Sequence, residues 1–236
     1  MMLAGIIVSI CFWSRLARRD DRLLMVYVAA LIGAFLGAKV FYLLIDGWRV
    51  IGAREMWTQL ATGKTVLGAL LGGYLGVEIA KHLVGYRTVT GDWFALIAPV
   101  GIILGRVGCL LHGCCQGKVC EPAWFTVTDS AGTARWPSVP MEILFNVAAI
   151  AVFFLLRRRR FLPGQHFHLY LIGYGTFRFF HEFLRNESRS IGPLTGYQLL
   201  AAGVAVFGAV AFVMRGKLTA TTGQPVQPHQ EPGVGA

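Results

Sequence analysis

Three positively charged residues interrupt long apolar stretches of this 236-residue chain: Lys39, Arg106 and Arg178. A charge is costly at bilayer depth and usually faces a cavity or an oppositely charged partner. Counted from the cytoplasmic ends of the segments given below, the three lie about 24, 20 and 18 Å along their helices. Guanidinium groups offer phosphate oxygens a bidentate pair of donors. These cations predict a site for an anionic lipid head group in the outer half of a bilayer, although Lys39 could also reach the outer interface without another role.

A short ladder of charge surrounds Arg178. Residues three and four apart are neighbours on a helix, so His181, Glu182 and Arg185 share a face with Arg178 or with one another. Two interpretations remain open. The ladder could serve only to balance charge, or Glu182 could orient Arg178 while the arginines hold a ligand.

Four of the five cysteines fall within twelve residues, close to a histidine: Cys109, His112, Cys114, Cys115 and Cys120. Three interpretations compete. A disulfide could staple an outer loop, a thiol could be reactive because His112 lowers its pKa, or the group could bind a soft metal. The spacing differs from the paired C-x2-C pattern of zinc sites. A disulfide and a reactive thiol are favoured over a resident metal, and no cofactor is expected, but the sequence does not decide among the three.

The elements that must position these residues are apolar helices. The chain is 55% hydrophobic and only 14% charged, whereas soluble domains carry about a quarter charged residues. A helix needs about 20 apolar residues to cross a bilayer. Seven segments approach this length, although the first is short: Met1–Trp13, Leu23–Ile45, Val66–Val84, Trp93–Leu111, Val139–Leu156, His166–Phe183 and Leu194–Met214. The sequence predicts an all-α, polytopic membrane protein with seven transmembrane helices.

Basic residues set the predicted orientation. The loops on one side hold twelve Lys or Arg, including Arg157–Arg160, and the loops on the other side hold seven. Cytoplasmic loops are enriched in Lys and Arg, so the N-terminus is predicted outside and the C-terminus in the cytoplasm. The net charge of +10 is explained by these loops. No basic groove with interleaved aromatics accompanies it, so nucleic acid is not an expected partner.

One domain is expected over residues 1–216, followed by a polar, disordered cytoplasmic tail over 217–236. Glycines recur every four residues within three of the predicted helices. Small residues at this spacing let helix backbones approach closely. These glycines are Gly33 and Gly37; Gly68, Gly72 and Gly76; and Gly101 and Gly105.

Five stretches of the chain carry recognisable motifs: Ala34–Leu44, Gly105–Gly117, Arg135–Ile143, Leu171–Arg185 and Thr195–Leu200. The second reads GRVGCLLHGCCQG, which is similar to the signature GRxGNFxNxExxG, and the fourth reads LIGYGTFRFFHEFLR, which is similar to YGxFRxxxEFxR. AFLGAKVFYLL, RWPSVPMEI and TGYQLL resemble the second-helix, HPSQLYE and final-helix segments of the same family. The chain thus resembles the prolipoprotein diacylglyceryl transferases, bacterial inner-membrane enzymes that move diacylglycerol from phosphatidylglycerol to a lipoprotein cysteine.

The resemblance implies roles for residues that match the motifs. Arg106 stands at the signature arginine, and Tyr174, Arg178, Glu182 and Arg185 match the YGxFRxxxEFxR motif. They are expected to bind the phosphate of the lipid and stabilise the leaving group, with Glu182 orienting Arg178.

The departures fall on the family's acid–base groups. Gly68 stands where the family has a catalytic histidine, Cys109 and Cys114 replace a signature asparagine and glutamate, and Trp136 replaces the histidine of HPSQLYE. A thiol nucleophile needs a base near its operating pH. The groups left to serve as that base are His112, His181, Glu142 and Glu182.

Together these features predict a multi-pass enzyme of the bacterial inner membrane, which transfers diacylglycerol from phosphatidylglycerol to a thiol acceptor such as a lipoprotein precursor. The expected catalytic residues are Arg106, His112, Cys114, Arg178 and Glu182, and the expected lipid ligands add Lys39, Tyr174 and Arg185. Two alternatives remain: an enzyme that uses the Cys109, Cys114 and Cys115 cluster for thiol or metal chemistry, and a non-catalytic protein that binds anionic lipid.

Overall fold

The computed structural model describes residues 21–49, 51–52, 56–86, 90–185 and 192–222. Met1–Trp13, the first predicted helix, lies outside these residues. Seven α-helices occur within them, numbered in chain order: α1 (Asp21–Ile45), α2 (Met56–Thr62), α3 (Val66–Leu83), α4 (Gly91–His112), α5 (Ser138–Arg158), α6 (His166–His181) and α7 (Gly196–Thr222). Short 3-10 helices follow α1 at Gly47–Arg49 and α6 at Glu182–Leu184.

Five of the described helices, α1, α3, α4, α5 and α7, are long and apolar enough to cross a membrane. This confirms the prediction of a helical protein with multiple apolar spans. The sixteen residues of α6 span about 24 Å at the helical rise. The last helix is longer than predicted, because it continues to Thr222 through the first residues assigned to the tail. Residues 223–236 lie outside the described part of the chain.

Glycines bring α1 and α3 into backbone contact, as their spacing predicts. A Cβ built on Gly33 would meet the carbonyl oxygen of Gly72, and a Cβ built on Gly37 would meet that of Gly68. The same prediction is wrong for α4. No described atom lies within 4 Å of a Cβ built on Gly101 or Gly105, so these two glycines do not mark a close helix contact among the described residues.

The helices α4 to α7 form the larger part of the core. Its centre holds Leu171 and Tyr174 of α6 with Ala201 and Val204 of α7, all with no exposed surface. Gly175 allows this approach, since an added Cβ would lie 2.7 Å from the Ala205 nitrogen and 2.8 Å from the Ala201 oxygen. The backbones of α6 and α7 are therefore in close contact.

Contacts among the helix ends distinguish the two ends of the bundle. The Asp92 carboxylate at the start of α4 accepts hydrogen bonds from the backbone nitrogens of Gly164, at 2.8 Å, and His166, at 3.2 Å. The Arg157 guanidinium, at the end of α5, lies 4.4 Å from the centre of the Trp93 ring. The Arg157–Arg160 run thus belongs to this end, and the cysteine-rich end of α4 lies at the other.

A small hairpin adds to the predicted all-helical architecture at the cysteine end. Strands β1 (Val127–Thr128) and β2 (Ala134–Arg135) pair antiparallel. The Asp129 carboxylate accepts hydrogen bonds from the backbone nitrogens of Ala131 and Thr133, both at 2.9 Å, which closes the turn. Hydrogen bonding to Arg135 holds the pKa of Asp129 below its usual range. The hairpin leads directly into α5.

Candidate active site

Three helices meet at the carboxylate of Glu142. Its Oε2 lies 2.9 Å from Nε of Arg106, on α4, and 3.5 Å from Nη1 of Arg178, on α6. Glu142 belongs to the second turn of α5 and has no exposed surface. The structure therefore brings Arg106 and Arg178 together through a shared carboxylate, at the level in the bundle where α4 ends and α5 begins.

A second carboxylate extends the array. Oε2 of Glu182 lies 2.8 Å from Nη2 of Arg178 and 3.5 Å from Nε of Arg185. The helical spacing predicted these contacts. Three arginines and two glutamates now alternate in one largely buried group, which we call the arginine array: Arg106, Glu142, Arg178, Glu182 and Arg185. When all five are charged, the array carries one positive charge in excess.

Polar side chains of α5 and α6 fix the position of Glu142. The Tyr174 hydroxyl donates to its Oε1 at 2.7 Å. One turn further along α5, the Asn146 side chain donates to the Glu142 backbone carbonyl at 2.8 Å and accepts from the Tyr170 hydroxyl at 2.8 Å. Such buried polar networks hold their members in one geometry when every member is satisfied. Tyr174 thus supports the carboxylate that binds the arginines.

Sequence reasoning missed the central position of Glu142, which it considered only among the groups left to act as a base. A signal was available, because Glu142 is the one acidic residue in the predicted segment Val139–Leu156. A lone carboxylate in an apolar span needs a partner. The cations predicted at the same depth, Arg106 and Arg178, were candidates for that partner.

His181 is bound through both ring nitrogens. Nη1 of Arg178 donates to its Nδ1 at 3.0 Å, and its Nε2 donates to the Ser138 backbone carbonyl at 2.9 Å. The guanidinium can only donate and the carbonyl can only accept, so this geometry assigns the proton to Nε2. His181 therefore orients Arg178 in the neutral form and has no free nitrogen for a substrate.

Two predicted residues are not brought to the array. The Lys39 ammonium donates to the carbonyl oxygens of Ala61, at 3.2 Å, and Gly63, at 3.5 Å, and lies 5.8 Å from the centre of the Tyr42 ring. His112 is exposed at the end of α4. Among the described residues, neither makes an ion pair or hydrogen bond with a member of the array.

Three thiols lie beside the array. The sulfur atoms of Cys109, Cys114 and Cys115 are all within 4.8 Å of one another, and we call this group the thiol cluster. All three are free, as is Cys120. His112 and Cys120 are not part of the cluster among the residues that the structure describes. The sequence offered five residues as possible metal ligands, and the fold brings three of them together.

Backbone hydrogen bonds join the loop that follows the thiol cluster to the segment that contains Arg185. Gly117 forms an isolated bridge with Arg185, and the Lys118 nitrogen donates to the Leu184 carbonyl at 2.9 Å. A Cβ on Gly117 would lie 2.7 Å from the Cβ of Trp136, so glycine permits this close packing. The glycine that ends the signature stretch thus positions the cysteine loop against Arg185.

The thiols of the loop differ in acidity. Hydrogen bonding from Cys109 is the main cause that lowers the pKa of the Cys115 thiol to about 5, with help from the charge of Arg106 and against the effect of burial. Burial raises the pKa of the Cys114 thiol. Cys115 is therefore the more acidic of the two, and thiolates are both the nucleophilic and the metal-binding form of cysteine.

Comparison with known proteins agrees with the motifs. A model of the prolipoprotein diacylglyceryl transferase family matches residues 1–214. The chain belongs to this family. One similar protein is the phosphatidylglycerol–prolipoprotein diacylglyceryl transferase of Clostridium tetani, 26% identical over 231 residues that cover 90% of each chain. The protein of the same name from Vibrio parahaemolyticus is 31% identical over 215 residues, which cover 85% of this chain and 75% of the relative.

This member of the diacylglyceryl transferase family cannot accommodate a larger side chain at Gly68 without rearrangement. A Cβ there would lie 2.8 Å from the Cβ of Phe41 and 2.9 Å from Cγ2 of Thr65. These distances are shorter than ordinary van der Waals contact. The close packing of α1 on α3 thus favours glycine at this position.

Proposed function

We propose that the chain transfers the diacylglyceryl group of phosphatidylglycerol to the thiol of a lipoprotein precursor. The observation that carries this proposal is the arginine array. A phosphodiester bears one negative charge, which matches the single positive charge in excess on the array. Family membership supports the choice of substrates, because the relatives are named phosphatidylglycerol–prolipoprotein diacylglyceryl transferases.

The proposed reaction is a displacement at a glycerol carbon. The acceptor thiolate forms a C–S bond with the terminal carbon of the diacylglyceryl group, and the bond from that carbon to the phosphate oxygen breaks. Glycerol phosphate leaves with the bonding electron pair. Arg106 and Arg178 are held in place by Glu142 and Glu182 before the lipid arrives, so they stabilise the growing negative charge without reorganisation. Tyr174 and Arg185 contribute by fixing the two carboxylates.

The proposed setting is the bacterial inner membrane. The array lies at the end of the bundle opposite the Arg157–Arg160 run, and basic loops favour the cytoplasmic side. We infer seven spans with the N-terminus outside, the C-terminus in the cytoplasm and the array near the outer leaflet. A fluorescent protein fused after Ala236 should fluoresce in cells, whereas an alkaline phosphatase fused there should be inactive. Active phosphatase would contradict this orientation.

The transfer can be tested with purified protein, phosphatidylglycerol labelled in its head group, and a lipobox peptide with one cysteine. We expect labelled glycerol phosphate to be released together with a lipidated peptide, and no release when the peptide cysteine is replaced by serine. Intact lipid that stays bound without release would favour the alternative, a binding protein that lacks turnover. That alternative gains support from Gly68, which removes the expected histidine.

A pair of variants tests the role of the array. Arg178→Lys keeps the charge but loses the paired donors that hold Glu182 and a phosphate. We expect turnover to fall by about 100-fold, the size of effect seen when one transition-state donor is removed. Arg158→Lys, at an exposed position at the far end of α5, is the matched control and should leave turnover unchanged. Equal turnover in the two variants would refute a role for the array.

A further inference from the structure

The thiol cluster is built by a turn that reverses the chain after α4. Gly113 and Cys115 both adopt left-handed backbone conformations, with φ of 70° and 62°. A left-handed conformation costs an L-residue about 1 kcal/mol or more and persists only where surrounding contacts impose it. Here the Cys114 nitrogen donates to the Cys109 carbonyl at 3.1 Å, and the Ser138 hydroxyl donates to the Cys115 carbonyl at 2.9 Å. The fold therefore holds the three sulfurs together.

The number and spacing of the sulfurs fit a metal ion. A disulfide would join two of them and leave the third unused. In a tetrahedral zinc site with Zn–S bonds of about 2.3 Å, the sulfurs lie about 3.8 Å apart. Sulfurs within 4.8 Å of one another need only a small contraction to reach that spacing. Three protein ligands with an open fourth position are typical of catalytic zinc, whereas structural zinc has four.

The cluster is accessible from a cleft of about 150 Å³, where a fourth ligand could enter. Cys109 and Cys114 line this cleft together with Trp136, which precedes α5, and Ser138, the first residue of α5. On the other side, Arg106 precedes Cys109 by one turn of α4, and Arg185 is bridged to Gly117 at the end of the cysteine loop. The cluster thus lies between an opening and the groups that we propose hold the lipid phosphate.

We propose that Cys109, Cys114 and Cys115 bind Zn²⁺ as three thiolates, and that the open position takes the cysteine thiol of the acceptor peptide. This inference rests on the proposed function. A coordinated thiol is deprotonated, and its proton passes to water in the cleft. The zinc-bound sulfur then supplies the electron pair for the new C–S bond, and glycerol phosphate leaves with the pair of the broken C–O bond. Metal coordination thereby activates the nucleophile where Gly68 and Cys114 replace the expected histidine and glutamate.

Zinc binding is tested on the full chain, purified under reduction, loaded with ZnCl₂ and desalted. We expect one Zn²⁺ per chain by mass spectrometry. Cys109→Ser and Cys115→Ser should each weaken Zn²⁺ binding by more than about 10-fold. Loss of a residue that only supports a metal ligand already weakens metal binding by about that factor. Cys120→Ser is the matched control, because Cys120 is a free cysteine outside the cluster, and it should keep one Zn²⁺ per chain. Absence of zinc in the reduced wild-type chain, or equal loss in the Cys120→Ser variant, would overturn the proposal.

The open position is tested by replacing zinc with Co²⁺, whose visible spectrum reports the number of thiolate ligands. The lipobox peptide should shift the cobalt spectrum towards a four-thiolate site, and the peptide with serine in place of cysteine should leave it unchanged. Identical spectra with both peptides would overturn the role in acceptor activation. Glycerol phosphate release by zinc-free protein would overturn this inference and leave the proposed function intact. A cobalt shift without any transfer by the zinc form would instead refute the proposed function and leave the metal site in place.

Discussion

Replacing Glu142 by glutamine removes the charge that two buried arginines share and keeps the shape of the side chain. Arg178 retains Glu182 at 2.8 Å. Arg106 loses the carboxylate at 2.9 Å, and no second carboxylate pairs with it among the described residues. Breaking a buried ion pair on one side costs about 3–5 kcal/mol, because the remaining charge stays buried without compensation. We therefore expect Glu142→Gln to destabilise the protein by at least about 3 kcal/mol.

A pair with one exposed partner provides the control. Glu78 lies 3.5 Å from Lys81; the Glu78 side chain is 44% exposed and the Lys81 side chain is 10% exposed. Because water solvates the exposed carboxylate, we expect this pair to contribute about 0–1 kcal/mol, as exposed ion pairs do. For a chain of this size, 1 kcal/mol shifts the midpoint of thermal unfolding by about 2–4 °C. Glu142→Gln should thus lower the midpoint by about 6–12 °C, and Glu78→Gln should lower it by less than about 4 °C.

Thermal unfolding in detergent micelles, followed by circular dichroism, measures both variants. Added phosphatidylglycerol should restore more stability to Glu142→Gln than added phosphatidylcholine, because the variant has two positive charges in excess at the array. The Glu78→Gln variant should respond equally to the two lipids. If Glu142→Gln unfolds within about 1 kcal/mol of the wild type, or gains nothing from anionic lipid, then Glu142 does not hold the arginines as the structure indicates.

Two further substitutions test how the fold positions the site. Gly68→Ala should destabilise the protein by about 1–3 kcal/mol, because the new methyl group collides with Phe41. The control Gly101→Ala, in open space on α4, should be neutral or stabilising by up to about 1 kcal/mol. Equal midpoints of thermal unfolding for the two variants would contradict the packing of α1 on α3. Asp92→Asn should destabilise the protein by about 0.5–1 kcal/mol at pH 7, since it removes a negative charge from the start of α6. Unfolding in denaturant measures this change in stability. An unchanged midpoint of unfolding would show that the charge of Asp92 does not stabilise α6.

The elements of the fold followed from local sequence. Apolar runs of membrane length predicted α1, α3, α4, α5 and α7, because each run needs only enough contiguous apolar residues to cross a bilayer. The contacts of Glu182 with Arg178 and Arg185 were predicted as well, since residues three and four apart must be neighbours on a helix.

Contacts between helices did not follow from spacing. Lys39 was predicted at the depth of Arg106 and Arg178, yet it binds backbone carbonyls of the segment before α3. Depth along a helix fixes the height of a side chain in the bundle but not the direction in which it points. For the same reason, Gly37 packs closely against α3 while Gly105, which has the same four-residue spacing, faces no described neighbour.

The sequence by itself determined the class of protein, its family and the positions of the arginines that we propose bind a phosphate, because composition, motifs and helical spacing are properties of local chain segments. Only the tertiary structure placed Glu142 between Arg106 and Arg178, and only the reversed turn after α4 separated Cys109, Cys114 and Cys115 from Cys120. These arrangements depend on how each helix is rotated about its axis and on two left-handed residues in the turn after α4. Packing across the whole bundle sets both, since each helix must bury its matching face against its neighbours.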